Sequence, residues 1–155
     1  MTKSIPELRL QELGLKLPVP PKPVANYTAF KKAGPLLFLS GQVPYDADGV
    51  ALKGTLGKDV SVEEGYACAR VCALQLIAVA KLAVGDLSKL SVTNVRGMVN
   101  ATPDFADHPH VVNGASDLFV DVFGDAGRHA RSAFGAGSLP SNVVVEVEAI
   151  FELLE

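Results

Sequence analysis

The hydrophobic and polar positions of the chain follow two different periods, which together predict a domain built from strands and helices. Short apolar or alternating runs are typical of strands. They occur at residues 26–30, 36–43, 54–57, 90–100, 131–136 and 142–153. Longer segments with an apolar position every three or four residues predict two helices, over residues 62–84 and 111–123. The predicted order is β-β-(β)-α-β-α-β-β.

Capping residues set the predicted helix boundaries. Ser61 is followed three residues later by Glu64, the pair that forms a reciprocal capping box at a helix N-terminus. Gly85 and Gly124 follow the last apolar positions of the two helices and are typical helix ends. Segments rich in turn residues, 31–35, 44–49 and 103–109, are predicted to connect the elements.

Residues 1–24 precede this pattern and are predicted to form an arm, with the domain itself at residues 25–155. Apolar residues of the arm give a rough helical stripe that ends near Gly14: Ile5, Leu8, Leu10, Leu13 and Leu15. The sequence PVPPKP at residues 18–23 cannot be helical and favours an extended, polyproline-like path. We call residues 18–24 the connector.

The pattern of the last strand indicates an assembly of several copies. Right-handed crossovers between parallel strands tend to place both helices on the same face of the sheet. The last strand is nevertheless largely apolar on both sides, with Val143, Val145, Val147, Ala149 and Phe151 alternating with Val144, Glu146, Glu148 and Ile150. A strand that is apolar on both faces is buried on both. Because one helical layer covers only one face, we expect another copy of the chain to cover the second.

Composition and charge narrow the classes of function. The chain has 155 residues, 48% of them hydrophobic and 20% charged, which suits a single domain with a packed core. Its net charge of −3, without a basic run, lacks the electrostatic footprint of proteins that bind nucleic acid backbones or anionic membranes.

Two further features bear on location. The most apolar stretch, residues 66–84, contains Arg70, Gln75 and Lys81, which argues against a membrane span. Cys68 and Cys72 are interpreted as small buried hydrophobic residues, because neighbours at this helical spacing rarely have disulfide geometry and two thiols alone make no zinc site. We therefore expect a soluble protein of a reducing compartment, the cytoplasm.

The histidines and glycines match no common catalytic motif. His108, His110 and His129 lack metal-ligand spacing, and the chain has neither a nucleophile elbow nor a glycine-rich phosphate loop. We accordingly expect no metal and no cofactor.

Arg131, Glu146 and the Ser40–Gly41 pair are the better candidates. Arg131 is the first residue of a predicted strand, and the next residues on the same face, Ala133 and Gly135, are small. The guanidinium therefore has room to bind a planar carboxylate. The alternative is an ordinary surface arginine at the end of a strand. Glu146 and Glu148 are either two solvated glutamates or line a cleft on the interface side, where burial raises a carboxyl pKa and suits proton transfer. Gly41 inside a strand marks a bulge or the close approach of a ligand.

Four segments together resemble the RidA/YjgF family, the reactive-intermediate deaminases also called the endoribonuclease L-PSP family. These are LFLSGQVP at 37–44, VNGASDLF at 112–119, Arg131–Ser132, and LPSNVVVEVEAI at 139–150. The resemblance runs from about Val24 to Glu155. It implies a chorismate-mutase-like α/β fold, with a mixed sheet and two helices on one face, assembled as a homotrimeric barrel with three sites at the subunit interfaces.

The resemblance also implies an activity and its residues. Family members hydrolyse 2-enamine or 2-imine acids to 2-keto acids and ammonia without a metal or cofactor. By this resemblance Arg131 holds the substrate carboxylate and Glu146 positions or activates water. The remaining substrate-binding residues that it implies are Tyr27, Ser40, Gly41 and Asn113. Many members carry a cysteine where this chain has Ala133, and the unusual approach to Arg131 suggests that Arg128 and His129 reshape the pocket entrance.

Three functional interpretations follow. The first is an imine or enamine deaminase, which needs both Arg131 and Glu146. The second is a non-catalytic trimer that binds small carboxylate metabolites, which needs the arginine but not the glutamate. The third is the ribonuclease activity of one family name, which the acidic net charge disfavours.

Overall fold

A computed structural model describes residues 4–155 as three α-helices and one five-stranded sheet. The helices are α1 (Ile5–Glu12), α2 (Val62–Val84) and α3 (His108–Phe123). The strands are β1 (Phe30–Ala33), β2 (Leu36–Gln42), β3 (Leu90–Asn100), β4 (Ala130–Ala136) and β5 (Val145–Leu153). Short 3-10 turns occupy Leu87–Lys89, Gly124–Gly127 and Pro140–Asn142.

The sheet is mixed, as predicted. Its strand order is β1-β2-β5-β3-β4, with β3 and β4 parallel and every other neighbouring pair antiparallel. Helices α2 and α3 pack together on one face and bury the inward-facing residues of β2, β3 and β5. The two predicted core helices are confirmed, and α1 is a third.

Helix α2 begins and ends where its caps predict. The Ser61 hydroxyl accepts a hydrogen bond from the backbone N–H of Glu64 at 3.1 Å, and the Glu64 carboxylate accepts one from the N–H of Ser61 at 2.7 Å. At the other end, Gly85 has φ of 78° and its N–H donates to the carbonyl of Lys81 at 2.8 Å. The helix is long and apolar enough to span a membrane, but 56% of its most apolar window is buried inside the fold, as in the core helix of a soluble domain.

A glycine allows α2 and α3 to pack closely. A Cβ atom at Gly114 of α3 would overlap the backbone carbonyl of Tyr66 in α2. This close contact holds α3 over β3 and β4. Phe119 of α3 packs edge to face against Phe151 of β5, with ring centroids 5.8 Å apart. The position of α3 matters for function because its exposed end carries part of the candidate site.

The two cysteines are buried thiols, as predicted. Burial raises the pKa of Cys68 to about 11, with a smaller contribution from Glu64. Cys72 is fully enclosed beneath β5, and burial raises the pKa of its thiol well above the usual value.

The N-terminal helix differs from its predicted stripe. Pro6 and Leu10 are buried, whereas Ile5, Leu8 and Leu13 are exposed. Helix α1 packs against α3, and the guanidinium of Arg9 donates to the Val122 carbonyl at 3.4 Å. The predicted stripe therefore does not identify the buried residues of α1, because only the side of this short helix that carries Pro6 and Leu10 packs against the domain.

Three predicted boundaries are wrong, each for a local reason. The strand at 26–30 instead begins at Phe30, and the segment before it is irregular and exposed. Helix α3 begins at His108 rather than at 111, since Pro109 is compatible with the first turn of a helix. Strand β5 begins at Val145 rather than at 142, because Ser141 and Asn142 have φ of 53° and 57°. The 54–57 segment forms only isolated bridges.

The second face of the sheet carries no helix and is called the open face. Phe38 on β2 and Phe134 on β4 remain 41% and 42% exposed there. Between them Arg96 and Glu148 form an ion pair at 3.0 Å. Ile150 and Glu146 on the same face of β5 are half-buried. The described residues leave this surface, which mixes apolar with charged side chains, without a covering helix.

Candidate functional site

The predicted site residues fall into two groups on opposite faces of the sheet. In the strand register Val95 lies beside both Arg131 and the buried Ala149, whereas Met98 lies beside Glu146 and Phe134. Residues that lie opposite one another on neighbouring strands share a face. Arg131 is therefore on the helix-covered face and Glu146 on the open face, so the two side chains of one chain do not converge.

The first group, which we call the Arg131 half-site, lies between β4 and α3. The Arg131 Nη1 donates to the Asn113 Oδ1 at 2.7 Å and to the Ser116 Oγ at 3.2 Å, and Nη2 lies 3.5 Å from the Pro109 carbonyl. Asn113 and Ser116 are three residues apart on α3, so both face the strand. The predicted Asn113 thus contacts the guanidinium, while the half-exposed arginine keeps further N–H groups for a ligand.

His129 and Ser116 extend this half-site in a way that the sequence analysis missed. The Gly127 carbonyl lies 2.6 Å from the His129 Nδ1, so Nδ1 is the protonated nitrogen. The Nε2 then accepts the Ser116 hydroxyl proton at 2.9 Å, which turns the lone pairs of Ser116 towards Arg131. Burial lowers the pKa of His129, and with the Arg131 charge it outweighs the hydrogen bond to the Gly127 carbonyl, which acts in the opposite direction; the neutral ring is therefore favoured.

Arg128 and His129 line one depression together with Arg131, so the expectation that they shape the approach to the arginine stays a prediction. The His129 ring is half-buried behind the arginine, edge to face with Phe119, while Arg128 is exposed beside Asp125. The signal was available in the sequence: His129 lies just ahead of β4 and two residues before Arg131, so continuing the alternation of the strand places both side chains on one face.

The second group, the Glu146 half-site, surrounds a cavity of about 310 Å³ at the end of β2 and β5. Tyr27, Gly41 and Glu146 all line it, which brings three predicted residues together. The β2–β5 register shifts between Leu39 and Gln42, so Gly41 lies in a bulge. A Cβ at Gly41 would overlap the Glu146 Oε1, so the glycine is required for the carboxylate to lie where it does.

The electrostatics of Glu146 differ from those of an ordinary surface carboxylate. Burial raises its pKa, and the neighbouring charge of Glu148 raises it further. Among residues 4–155 no group donates a hydrogen bond to this carboxylate. Its oxygens are therefore free to bind water or a ligand that enters the cavity.

Ser40 is the predicted residue that the structure does not bring to this cavity. Its hydroxyl donates to the Thr28 carbonyl at 2.5 Å, and it lines a separate shallow groove with Glu148. Tyr27 borders both depressions. The bond to Thr28 indicates that Ser40 anchors the segment next to Tyr27.

The remaining histidines have structural contacts of their own. His108 packs edge to face against Phe105 at 5.1 Å and covers Gly135, while His110 contacts the Asp107 carboxylate. Within residues 4–155 no three His, Cys, Asp or Glu side chains are grouped so as to hold a metal ion.

Comparison with known proteins assigns the chain to a family. Residues 7–153 match the family described as "YjgF/chorismate mutase-like, putative endoribonuclease". The chain belongs to the RidA/YjgF family. The match includes α1 from Glu7 onward and the whole connector, so these segments lie within the aligned region of the RidA/YjgF family.

Individual relatives are similar over nearly their whole length. The protein TCP17 of Trypanosoma cruzi is 44% identical over 146 residues, which cover 93% of this chain and 91% of that protein. A Shewanella oneidensis structure that carries the same endoribonuclease name is 37% identical, with a TM-score of 0.93 over 97% of this chain and 100% of that chain. Atu1372 of Agrobacterium tumefaciens, described as having unknown function, is 43% identical, with a TM-score of 0.88 over 96% and 94% of the two chains.

Proposed function

We propose that the protein hydrolyses 2-imine or 2-enamine acids to 2-keto acids and ammonia, at sites formed between copies of the chain in a homotrimer. The observation that carries the proposal is the pair of complementary half-sites. One presents a guanidinium fixed by three neighbours, and the other presents a half-buried carboxyl group with a raised pKa beside an open cavity. A cytoplasmic location is part of the same proposal, in keeping with the two free thiols.

The proposed reaction requires the Arg131 guanidinium and the Glu146 carboxyl group to contact the same substrate molecule. The guanidinium of Arg131 binds the substrate carboxylate through two N–H groups. Glu146 accepts a proton from a water molecule while the water oxygen attacks the imine carbon, and the proton passes to the nitrogen. The carbinolamine then gives up its hydroxyl proton, which passes through Glu146 to the amine nitrogen; the C–N bond breaks as the C=O bond forms, and ammonia and the 2-keto acid leave. A 2-enamine acid first becomes the imine when a proton moves from its nitrogen to C3. No oxidant or reductant is consumed, so orientation and one proton carrier are sufficient.

Assembly follows from the placement of the half-sites. Arg131 and Glu146 of one chain lie on opposite faces of the sheet, so one substrate contacts both only if they come from different copies. The open face supplies two partly exposed aromatic side chains for such a contact, Phe38 and Phe134. The homotrimer that the family resemblance implies would satisfy both requirements.

Subunit complementation tests this proposal. Arg131→Ala and Glu146→Gln chains are each expected to release little ammonia from enzymatically generated 2-aminoacrylate. Co-expressed as mixed trimers, they are expected to recover about a quarter of wild-type activity, because about that fraction of interfaces pairs an intact arginine with an intact glutamate. Mixed trimers without any recovery, alongside an active wild type, would contradict the shared site. Full activity after chelation is also expected, since the proposed steps use no metal.

The alternative is a non-catalytic trimer that binds small carboxylates. It is favoured by the Arg131 half-site alone, which is complete without Glu146. A wild type that binds 2-ketobutyrate but does not accelerate ammonia release would support it. RNA cleavage is disfavoured by the net charge of −3, and a fluorogenic RNA substrate provides the corresponding assay.

A further inference from the structure

A serine and a histidine lie beside Arg131 in an arrangement that imine hydrolysis does not require. The Oγ of Ser116 and the Nε2 of His129 are 2.9 Å apart, and both side chains line the same surface depression as Arg131. Imine hydrolysis needs no covalent intermediate, because the imine carbon is already electrophilic and one oriented water is sufficient. The Arg131 half-site therefore holds the two groups of a nucleophilic dyad that the proposed reaction does not use as one, and both come from a single chain.

The hydrogen bonds of His129 give it the tautomer that a general base needs. Its Nδ1 donates to the Gly127 carbonyl at 2.6 Å, so the Nε2 carries the lone pair that faces the Ser116 hydroxyl. A carboxylate orients the ring in Ser-His-Asp triads, whereas here a backbone carbonyl at the end of the Gly124–Gly127 turn does so. The ring also packs edge to face against Phe119, with centroids 5.8 Å apart. The base is therefore oriented before any ligand binds.

Arg131 supplies the positive charge that stabilises an attacking serine oxygen. Its Nη1 donates to the Ser116 Oγ at 3.2 Å, so negative charge that develops on this oxygen receives a charge-assisted hydrogen bond. A second bond from Nη1, to the Asn113 Oδ1 at 2.7 Å, holds the guanidinium in this position. A ligand on the remaining N–H groups of the arginine lies next to Ser116. The serine is therefore accessible to any ligand that binds the arginine.

We propose that Ser116 is a nucleophile with His129 as its general base, and that the chain hydrolyses small esters whose acyl group carries a free carboxylate. This activity is separate from imine hydrolysis and involves neither Glu146 nor the cavity beside it. The carboxylate of the ester binds the free N–H groups of Arg131, which holds the acyl group beside the Ser116 oxygen. An ester with an uncharged acyl group lacks this anchor.

The proposed steps consume only the ester and water. The Ser116 Oγ forms a bond to the acyl carbon while its proton moves to the His129 Nε2, and the alcohol then leaves with that proton as the ester C–O bond breaks. Water attacks the acyl-serine ester and gives a proton to His129, and this proton returns to the Ser116 oxygen as its bond to the acyl carbon breaks. The products are a dicarboxylic acid and an alcohol, and both side chains recover their starting states.

Covalent trapping is the first test. Phenylmethanesulfonyl fluoride sulfonylates activated serine hydroxyls, and peptide mass spectrometry locates the modified residue. We expect modification of Ser116 in the wild type and equally in Ser132→Ala, the control on the other face of β4. His129→Gln is expected to slow the modification by about 100-fold or more, because the base is lost. A wild type without a Ser116 adduct would overturn the proposal, since a serine that only positions Arg131 is not activated.

Turnover of two matched esters tests the substrate class. The 4-nitrophenyl monoester of adipic acid carries a terminal carboxylate and 4-nitrophenyl hexanoate does not, and release of 4-nitrophenolate gives kcat/KM for each. We expect the adipate ester to be preferred by about tenfold or more, because only its carboxylate makes charge-assisted hydrogen bonds to Arg131. Ser116→Ala and His129→Gln are each expected to lower its kcat/KM by about 100-fold or more, and the double variant no further, because the pair acts as a unit.

The control for the histidine is His110→Gln, because His110 contacts the Asp107 carboxylate and does not line the depression. Hydrolysis of the adipate ester at the wild-type rate in Ser116→Ala would overturn the assignment of the nucleophile, and equal rates for the two esters would overturn the substrate class. The assay is independent of the proposed function: ester hydrolysis that requires Ser116, in a protein that does not hydrolyse imines, would support this inference and contradict that function.

Discussion

The two half-sites differ in how their charged groups are held. At the Arg131 half-site a chain of hydrogen bonds runs from the Gly127 carbonyl through His129 and Ser116 to the guanidinium. At the Glu146 half-site the carboxylate lies against a bare glycine backbone and receives no hydrogen bond from residues 4–155. A group that orients a substrate gains from fixed geometry, whereas a group that moves protons needs free lone pairs and an unusual pKa. This difference agrees with the proposed roles, in which Arg131 binds the substrate and Glu146 transfers protons.

The largest expected effect separates turnover from binding. Glu146→Gln removes the proton acceptor but keeps the shape of the side chain, so kcat is expected to fall by about 10²–10⁴-fold. Calorimetric titration of the same variant with 2-ketobutyrate is expected to show nearly unchanged affinity. Glu152→Gln is the matched control, because Glu152 lies on the same face of β5 but is exposed and does not line the cavity. Wild-type turnover in Glu146→Gln would mean that the glutamate is structural.

The converse variant acts on binding. Arg131→Ala removes two charge-assisted hydrogen bonds, each worth roughly 1.5–3 kcal/mol, so keto-acid affinity is expected to fall by about 100-fold or more. Arg131→Lys is expected to recover only part of this, because an ammonium lacks the planar fork. Arg70→Ala, at an arginine that pairs with Asp121 and does not line the depression of Arg131, is the control and should bind normally. Undiminished binding in a folded Arg131→Ala trimer would place the carboxylate elsewhere.

A smaller effect is expected from the residues behind the arginine. Ser116→Ala removes one hydrogen bond to the guanidinium, so KM is expected to rise by about three- to tenfold with kcat nearly unchanged. His129→Gln should raise KM similarly, and the double variant should add little, because both substitutions break the same chain of hydrogen bonds. Ser132→Ala, on the other face of β4, is the control. Additive effects of the two substitutions would show that His129 does not act through Ser116.

The smallest expected effect is on stability, and its sign follows from the raised pKa of Glu146. The folded chain holds this proton more tightly than the unfolded chain, so ionised Glu146 destabilises the fold at high pH. Glu146→Gln is expected to have a higher free energy of unfolding in urea than the wild type at pH 8. The difference should vanish as the pH falls below 4.5, the ordinary value for the group. A difference that is the same at both pH values would exclude titration of Glu146 as its cause.

Elements with strong local signals were predictable from sequence. Helix α2 has a capping box at one end and a glycine at the other, and its observed limits agree with both. Strand β3 has a clear alternating pattern and was predicted over the observed residues. Strand β1 was misplaced because this edge strand has one half-buried and three exposed residues, two of them lysines, so it lacks a hydrophobic period.

The candidate site was predictable in part. Arg131 and Glu146 were identified by family resemblance and strand pattern, but their assignment to opposite faces needs the register of three strands. The pairing of Ser116 with His129 joins residues of a helix and a strand, and a sequence pattern within either element does not report it. The connector's contact with the cavity is likewise a tertiary contact of a segment without periodicity.

Neither thiol of the described chain is a ready nucleophile at neutral pH. Reaction with oxidants and alkylating agents requires the thiolate, and burial raises the pKa of Cys68 to about 11 and holds that of Cys72 well above its usual value. With alanine at position 133, the Arg131 half-site also offers no sulfur atom. Electrophilic intermediates that enter either half-site therefore meet no thiolate, and sulfenic acid formation is suppressed. The protein is expected to keep its full activity through exposure to peroxide or iodoacetamide, conditions that inactivate enzymes with accessible thiolates.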